Sequence, residues 1–165
     1  PILRKTIQPL DIENHEGIAA KVYFKALFGR DFLRDREEGD PVNNALNYGY
    51  SIIRALMARA LAAKGLILSI GMKHHNIYNH FNLVDDCMEM YRPIIDDWVY
   101  FFVYKANDPF ARELRLKLIT AISDATVCHQ TLSYSIADSM NKFADSLVRC
   151  MVDPYEVLDL PRLRE

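Results

Sequence analysis

The sequence predicts an all-α protein, a helical bundle that forms a single domain over residues 1–165. Apolar residues recur at spacings of three and four along most of the chain, the pattern of an amphipathic helix with one buried face. No convincing run alternates polar with apolar residues, and no internal repeat or interdomain linker is found. With 50% hydrophobic residues, the chain has enough apolar side chains to fill a core.

Glycines are expected to end the first two helices. The first helix is predicted over about residues 14–28, because Gly29 suits the left-handed conformation that follows a helix. The second is predicted over about residues 42–64 and ends at Gly65 for the same reason. Residues 29–41 between them are charged and are expected to form an exposed, mobile loop. Residues 66–70 are expected to be a short buried connector.

Prolines and polar caps place the remaining helices. A third helix is predicted from Asn82, its N-cap, with acids in the first turn, and Pro93 should kink or divide it. Asp108 followed by proline is expected to open a helix that runs to about Ser123. A last helix is predicted over about residues 133–152, and the tail after Asp153 is expected to be irregular.

Composition and charge exclude several classes of protein. The net charge of −2 gives no global basic field for nucleic acid, although residues 1–64 carry a net +2 and could form a local patch. The three cysteines are widely spaced without a CxxC pair, which predicts free buried thiols in a reducing cytoplasm rather than a zinc site. No apolar run is long enough to cross a membrane, and no signal peptide is present.

The segment over residues 71–93 carries the chemistry, since it holds three of the five histidines: His74, His75 and His80. Asp86 and Glu89 follow at a spacing of three, so they share one helix face. A histidine-bearing loop beside helical acids is suited to a hard divalent cation. The residues alone do not select one histidine. They also fit a backbone-bonded loop histidine and an amphipathic surface helix.

Glu16 and a group of basic and aromatic residues complete the candidate set. Glu16 is in register with Ala20, Tyr23 and Leu27, so it either faces the core, where a charge needs a partner, or points to water at a first turn. Tyr48 lies near Arg54 and Arg59 on the second helix. Such residues can grip phosphates and stack on bases, but they also fit a solvated face above core tyrosines.

Three segments together resemble a known family: EGIAAKVYFKALFGRDF, NNALNYGYSIIRALMARALAAKGL and GMKHHNIYNHFNLVDDCMEMYRPIID. In order and spacing they are similar to the CRISPR-associated spacer integrase, the "Cas one" family, and to its type II branch in particular. The resemblance covers about residues 12–100. Met90 stands where the family motif has a proline.

The resemblance implies that Glu16, His74 and Glu89 bind one Mg²⁺ or Mn²⁺ ion. It selects His74 from the three histidines, and it implies that Asp86 either ligates the ion or supports the ligands. Tyr48 matches an aromatic position that contacts DNA in some relatives. The candidate DNA-binding residues are therefore Tyr48, Arg54, Arg59, Lys73 and Arg92, of which Lys73 and Arg92 are chosen for their proximity to the acids.

The implied function is CRISPR adaptation in antiviral defence. A metal-dependent DNA endonuclease and integrase of this family inserts a spacer when the 3′-hydroxyl of a DNA end attacks a phosphodiester of the array. The implied partners are double-stranded DNA (prespacer and repeat), a second full-length copy and the small "Cas two" protein, with no membrane. The chain is expected to be the helical catalytic domain of the family alone, without the N-terminal β-domain.

Two readings from other classes stay open on the residues alone. A non-catalytic helical interaction module would use the same acids and histidines as surface or capping residues. Another helical metal-dependent phosphohydrolase would hold a similar ion without joining DNA.

Overall fold

The protein is a helical bundle with one small hairpin, which confirms the predicted fold class. The computed structural model describes residues 15–35, 37 and 39–162. The α-helices are α1 His15–Phe28, α2 Pro41–Ala63, α3 Asn82–Met88, α4 Arg92–Val99, α5 Arg112–Asp124 and α6 Ile136–Val152. A 3-10 turn, Glu89–Tyr91, joins α3 to α4, a π-helical turn, Tyr100–Tyr104, follows α4, and strands β1 Thr126–His129 and β2 Leu132–Ser135 precede α6.

Helix α2 is the centre of the bundle, because α3, α4, α5 and α6 all pack against it. Asp40 caps its start, where the carboxylate accepts a hydrogen bond from the Asn43 backbone N–H at 2.9 Å. Gly65, at a φ of 77°, follows its end in the left-handed conformation that glycine adopts without strain. One face of α2 supplies four fully buried side chains: Leu46, Ile53, Met57 and Leu61.

The predicted division at Pro93 is confirmed, and the 3-10 turn lies just before it. The predicted N-cap at Asn82 is wrong. Asn82 is the first residue inside α3, and Phe81 precedes it without a side-chain cap. The Asn82 amide instead donates to the carbonyls of Ser69 and Asn76 at 3.0 and 2.8 Å, so it ties the preceding loop together.

The hairpin corrects the prediction that the last helix begins near residue 133. Strands β1 and β2 pair antiparallel through a turn in which Gln130 has a φ of 54°. Helix α6 begins only at Ile136, where the Ser135 hydroxyl accepts from the Asp138 backbone N–H. On the other side of β1, Cys128 exchanges backbone hydrogen bonds with Arg162, at 2.9 and 2.7 Å, in the segment that follows α6.

Two further expectations need correction. Asp108 does not open α5; its carboxylate accepts from the Phe110 backbone N–H, and Phe110 has a φ of 59°, so α5 begins at Arg112. The connector over residues 66–70 is only partly buried, because Ile67 and Ile70 are 62% and 65% exposed.

The cysteines and the membrane prediction have mixed outcomes. Cys87 is buried as expected, whereas Cys128 and Cys150 are half-buried, and all three are free thiols. Among the described residues, no helix is long and apolar enough to span a bilayer.

Gly49 allows α2 and α4 to pack closely, and its substitution tests that contact. A Cβ added at Gly49 would lie 2.4 Å from Cγ2 of Ile95. Replacing a helical glycine by alanine ordinarily stabilises a helix by about 1 kcal/mol. We expect Gly49→Ala to lower the free energy of unfolding instead, by about 1–3 kcal/mol, because it overpacks the core. Chemical denaturation measures this value. In an Ile95→Ala background the cost of the added methyl group should shrink, and an unchanged cost would contradict the contact.

Candidate functional site

The carboxylate of Asp86 on α3 holds the histidine-bearing loop. One oxygen, Oδ2, accepts the backbone N–H groups of Met72 and Lys73 at 2.6 and 3.0 Å. The other, Oδ1, accepts the backbone N–H of His74 at 3.2 Å and lies 2.6 Å from its ring Nδ1. The side chain of Asp86 is only 5% exposed. The imidazole is therefore fixed through Nδ1, and Nε2 is directed away from Asp86.

These hydrogen bonds also set the ionisation of Asp86. Burial by itself would raise the pKa of this carboxyl, but the donors from Lys73, His74 and Met72 outweigh it and lower the pKa below its ordinary value. Asp86 therefore stays an anion that accepts hydrogen bonds at neutral pH.

Gly71 allows the loop to approach α3 this closely. A Cβ at this position would lie 2.3 Å from the carbonyl oxygen of His74 and 2.9 Å from Oδ2 of Asp86. The loop could not close over Asp86 with any larger residue at this point.

A second acidic residue of α3, Asp85, braces the far end of the loop against α2. Arg54 makes a two-pronged ion pair with Asp85, with Nε–Oδ1 and Nη2–Oδ2 distances of 2.7 Å. The Asn79 amide joins this pair, donating to Asp85 at 2.8 Å and accepting from Arg54 at 3.0 Å. The guanidinium also lies over the Phe81 ring, 4.8 Å from its centroid. Arg54 thus has a structural role whatever else it contacts.

Glu16 in the first turn of α1 reaches the same loop. Its carboxylate accepts a hydrogen bond from the ammonium group of Lys73, the residue before His74. The side chain of Glu16 is 45% exposed, and Ala20 is exposed as well. Of the two alternatives that the sequence left open for Glu16, the structure has the exposed one, because the apolar stripe of α1 turns inward only from Tyr23 onward.

Glu89, at the start of the 3-10 turn, is half-buried beside these groups. Burial raises the pKa of its carboxyl, and the negative charge of Glu16 raises it further. The positive charges of Arg92, His74 and Lys73 lower the pKa by less, so the net shift is upward. Glu16 and His74 therefore both lie within electrostatic reach of Glu89. In the described part of the chain, however, no group of three or more His, Cys, Asp and Glu side chains is arranged closely enough to hold a metal ion.

The remaining DNA-binding candidates occupy different environments. Tyr48 is half-buried and packs edge-on against Phe110, with ring centroids 5.9 Å apart. Arg59 is exposed on α2. The guanidinium of Arg92 lies over the Tyr50 ring, 5.4 Å from the centroid, and its Nε is buried without a hydrogen-bond partner. These three residues stay predictions as DNA contacts.

Asp96 on α4 is a buried acid that is only 2% exposed. Its carboxylate accepts hydrogen bonds from the hydroxyls of Tyr23, at 2.8 Å, and Tyr50. An acid surrounded by apolar neighbours signals that partners are needed. The sequence could not name them, because they lie on two other helices.

A second polar network lies in the C-terminal half. His129 on β1 is 2.9 Å from Asp159 through Nδ1 and 2.6 Å from the Ser139 hydroxyl through Nε2. Ser139 also bonds the Tyr91 hydroxyl at 2.8 Å. These residue types could form a nucleophilic triad, but Ser139 is 0% exposed and His129 is 1% exposed. We therefore read this network as a structural one that fastens α6 and the tail.

The comparisons with known proteins define the class and then the family. The fold and the site define the class first: a mostly helical domain in which an acidic helix holds a histidine-bearing loop at the surface. Residues 3–108 match the family model described as CRISPR associated protein Cas1. That match covers more than half of the chain and includes every candidate site residue, so the chain belongs to this family.

Individual relatives agree with the family match. The chain is 42% identical over 94 residues to a CRISPR-associated endonuclease Cas1 of Neisseria meningitidis serogroup C, covering 57% of this chain and 30% of the relative. It is 36% identical over 98 residues to one of Pyrobaculum aerophilum, with coverages of 57% and 32%. It is 30% identical over 122 residues to one of Francisella tularensis subsp. novicida, with coverages of 68% and 38%. The chain thus spans about a third of the length of these relatives.

Asp86→Asn tests whether the carboxylate holds the loop. An amide would turn its NH₂ group toward the donors of Met72 and Lys73, so we expect the free energy of unfolding at pH 7 to fall by about 2 kcal/mol. The stabilisation comes from a lowered pKa, so it is present above the unfolded-state pKa and is lost as the pH falls through the folded-state value. Denaturation of the parent and of Asp86→Asn across acidic pH measures the two free energies of unfolding, which should converge as the pH falls. The exposed Asp124→Asn is the control, and an equal effect of both variants would contradict the anchor.

Glu89→Gln tests the unfavourable charge at the site. Because the folded-state pKa of Glu89 is raised, its ionised form costs stability above that pKa and nothing below the unfolded-state value. We expect Glu89→Gln, without metal, to be more stable than the parent at pH 7, and the gain to vanish as the pH falls through the raised pKa. Thermal unfolding at both pH values measures it. The control is Glu113→Gln at an exposed position, which should show no such gain. A loss of stability in Glu89→Gln would contradict the unfavourable charge at Glu89.

Proposed function

We propose that this chain forms the catalytic helical domain of a metal-dependent DNA endonuclease and integrase of the Cas1 family, acting in CRISPR adaptation. The observation that supports the proposal is the imidazole of His74, held by Asp86, in a loop whose Lys73 pairs with Glu16 and whose charges reach Glu89, in a chain of that family. The relatives are named endonucleases, which supports nucleic-acid cleavage chemistry. Joining of DNA ends goes beyond those names and belongs to the proposal.

The donor chemistry fits a divalent cation. A histidine that binds metal through one ring nitrogen commonly donates its other N–H to a carboxylate, which is the relation of His74 to Asp86. Burial and the negative charge of Glu16 raise the pKa of Glu89, and a bound cation would offset both. The bond from Lys73 to Glu16 indicates that positive charge is already attracted here. We therefore assign Glu16, His74 and Glu89 as ligands of Mg²⁺ or Mn²⁺.

Asp86 has a supporting role in this assignment. Both of its oxygens already accept hydrogen bonds from the loop, so it orients His74 rather than facing the ion. Because Glu16, His74 and Glu89 do not form a closed ligand set among the described residues, metal binding would require these side chains to move closer together.

The chain's own groups suit phosphodiester chemistry. When bound, the cation would supply Lewis acidity at the scissile phosphate. When the cation takes the place of Lys73 at Glu16, the ammonium group of Lys73 would be available as a counter-charge for a phosphate oxygen. The charge of Arg92 lies within electrostatic reach of Glu89, so its guanidinium would supply a second phosphate contact. Tyr48 and Arg59 would contact the DNA further along α2.

The proposed reaction is attack by the 3′-hydroxyl of a DNA end on a phosphodiester of the repeat. The bond to the new strand forms as the bond to the old 3′-oxygen breaks, so no outside energy source is required. The substrates would be double-stranded prespacer and CRISPR repeat. A full-length homodimer and the small "Cas two" protein would supply further contacts to these substrates.

Metal binding and DNA joining test this function. We expect Mn²⁺ at 100 times its Kd to raise the free energy of unfolding by about 2.7 kcal/mol, because it binds only the folded state. His74→Ala should abolish this increase and lower DNA joining at least about 100-fold, whereas His80→Ala, an exposed histidine of the same loop, should change neither. Thermal unfolding and a labelled-oligonucleotide assay, with a 3′-deoxy end as chemical control, measure the two effects.

The outcomes separate the competing classes. No response to Mn²⁺ and no DNA product would favour a non-catalytic interaction module. Hydrolysis of simple phosphodiesters without joining would favour a phosphohydrolase. Full activity of His74→Ala would remove the proposed role of this residue.

A further inference from the structure

The buried carboxylate of Asp96 on α4 is bonded by two tyrosines that come from different helices. Oδ2 accepts from the hydroxyl of Tyr23 on α1 at 2.8 Å, and Oδ1 accepts from Tyr50 on α2. Burial and the negative charge of Asp96 raise the pKa of both tyrosines, so both hydroxyls keep their protons. The carboxylate is not among the residues assigned to the metal, yet it links three helices.

Helix α1 is held mainly by its second half. Phe24, Leu27 and Phe28 pack on the core, and the ring of Phe28 contacts those of Phe32 and Tyr104. The first half differs, since residues 16–18 and 20–22 are exposed and residue 19 is half-buried. The first turn that carries Glu16 therefore projects beyond the packed part of the helix. Tyr23 lies at the boundary between the two halves.

Because the first turn of α1 lies beyond its packed part, a change in the angle of the helix at Tyr23 moves Glu16. Glu16 and Tyr23 are seven residues apart, which at the α-helical rise is about 10 Å. A tilt of about 10° at Tyr23 would therefore move Glu16 by about 2 Å. Ligands and catalytic groups must be held within about 0.5 Å of their working positions. The angle of α1 thus decides whether Glu16 can reach the ion together with His74 and Glu89.

We propose that the hydrogen bond between Tyr23 and Asp96 is a clasp that sets the angle of α1, and that both are positioning residues for Glu16. The clasp itself follows from the contacts. Its effect on metal rests on the proposed function, in which Glu16 is a ligand.

Tyr23→Phe removes only the hydroxyl and leaves the ring in contact with Phe24, at a centroid distance of 5.2 Å. Loss of one hydrogen bond should raise the exchange rates of the amides of residues 19–23 about fivefold, measured without metal. The affinity for Mn²⁺, measured by calorimetry, should fall about tenfold. In a Glu16→Gln background, Tyr23→Phe should cause almost no further loss, because its effect passes through Glu16.

Tyr50→Phe is the matched control, because it removes a donor to the same carboxylate but leaves the hydrogen bond of Tyr23 on α1 in place. It should lower stability but change the exchange of α1 and the Mn²⁺ affinity much less than Tyr23→Phe does. Equal effects of the two variants on α1 would overturn the clasp, and so would unchanged exchange in Tyr23→Phe. An equal loss of affinity with and without Glu16 would show that Tyr23 does not act through that residue.

The two proposals fail in different ways. If the parent chain binds no Mn²⁺, the proposed function is wrong, while the exchange of α1 still decides the clasp. If Mn²⁺ binds and depends on His74, but α1 does not loosen in Tyr23→Phe, the clasp alone is wrong.

Discussion

The histidine loop depends on one charged group, the carboxylate of Asp86. A loop of this length would ordinarily leave its backbone N–H groups to water, and its imidazole would sample several rotamers. Here a nearly buried anion collects three backbone donors and one ring nitrogen from consecutive residues. The anion can remain ionised because those donors outweigh the cost of burial. Gly71 makes the approach possible, since a side chain at that point would collide with the loop.

The three acids of α3 and of the turn after it, Asp85, Asp86 and Glu89, have different environments. Asp85 is satisfied by Arg54 and Asn79, and Asp86 by the loop. Glu89 carries the opposite signature, because burial and the charge of Glu16 disfavour its ionised form. A group that destabilises the fold in its charged form is typical of a site that awaits a ligand of opposite charge. This contrast separates the two acids that anchor other groups from Glu89, the proposed ligand, although all three lie within five residues.

The sequence predicted local structure better than it predicted contacts between residues that are distant along the chain. The helix bounds at Gly29, Gly65 and Pro93 followed from backbone chemistry that acts within a few residues. The hairpin was missed because each strand has four residues, too few for alternation to be distinguished from a helical pattern.

Long-range contacts limited the prediction of the site. The spacing predicted that Asp86 and Glu89 share one helix face. It could not show that both oxygens of Asp86 would accept hydrogen bonds from the histidine loop. It also could not pair Asp96 with Tyr23, because 73 residues separate them. The register of Glu16 left open whether it faces the core or points to water. The first turn of α1 extends past the core, so the register there no longer reports burial.

The pairing between Cys128 and Arg162 has a consequence for the behaviour of the protein in solution. A two-stranded hairpin leaves open edges that can recruit strands from other molecules. The segment after α6 returns to the outer side of β1 and takes up the backbone groups of Cys128, while Asp159 is tied to His129. The tail thereby shields that edge, and its removal by proteolysis would expose a template for self-association.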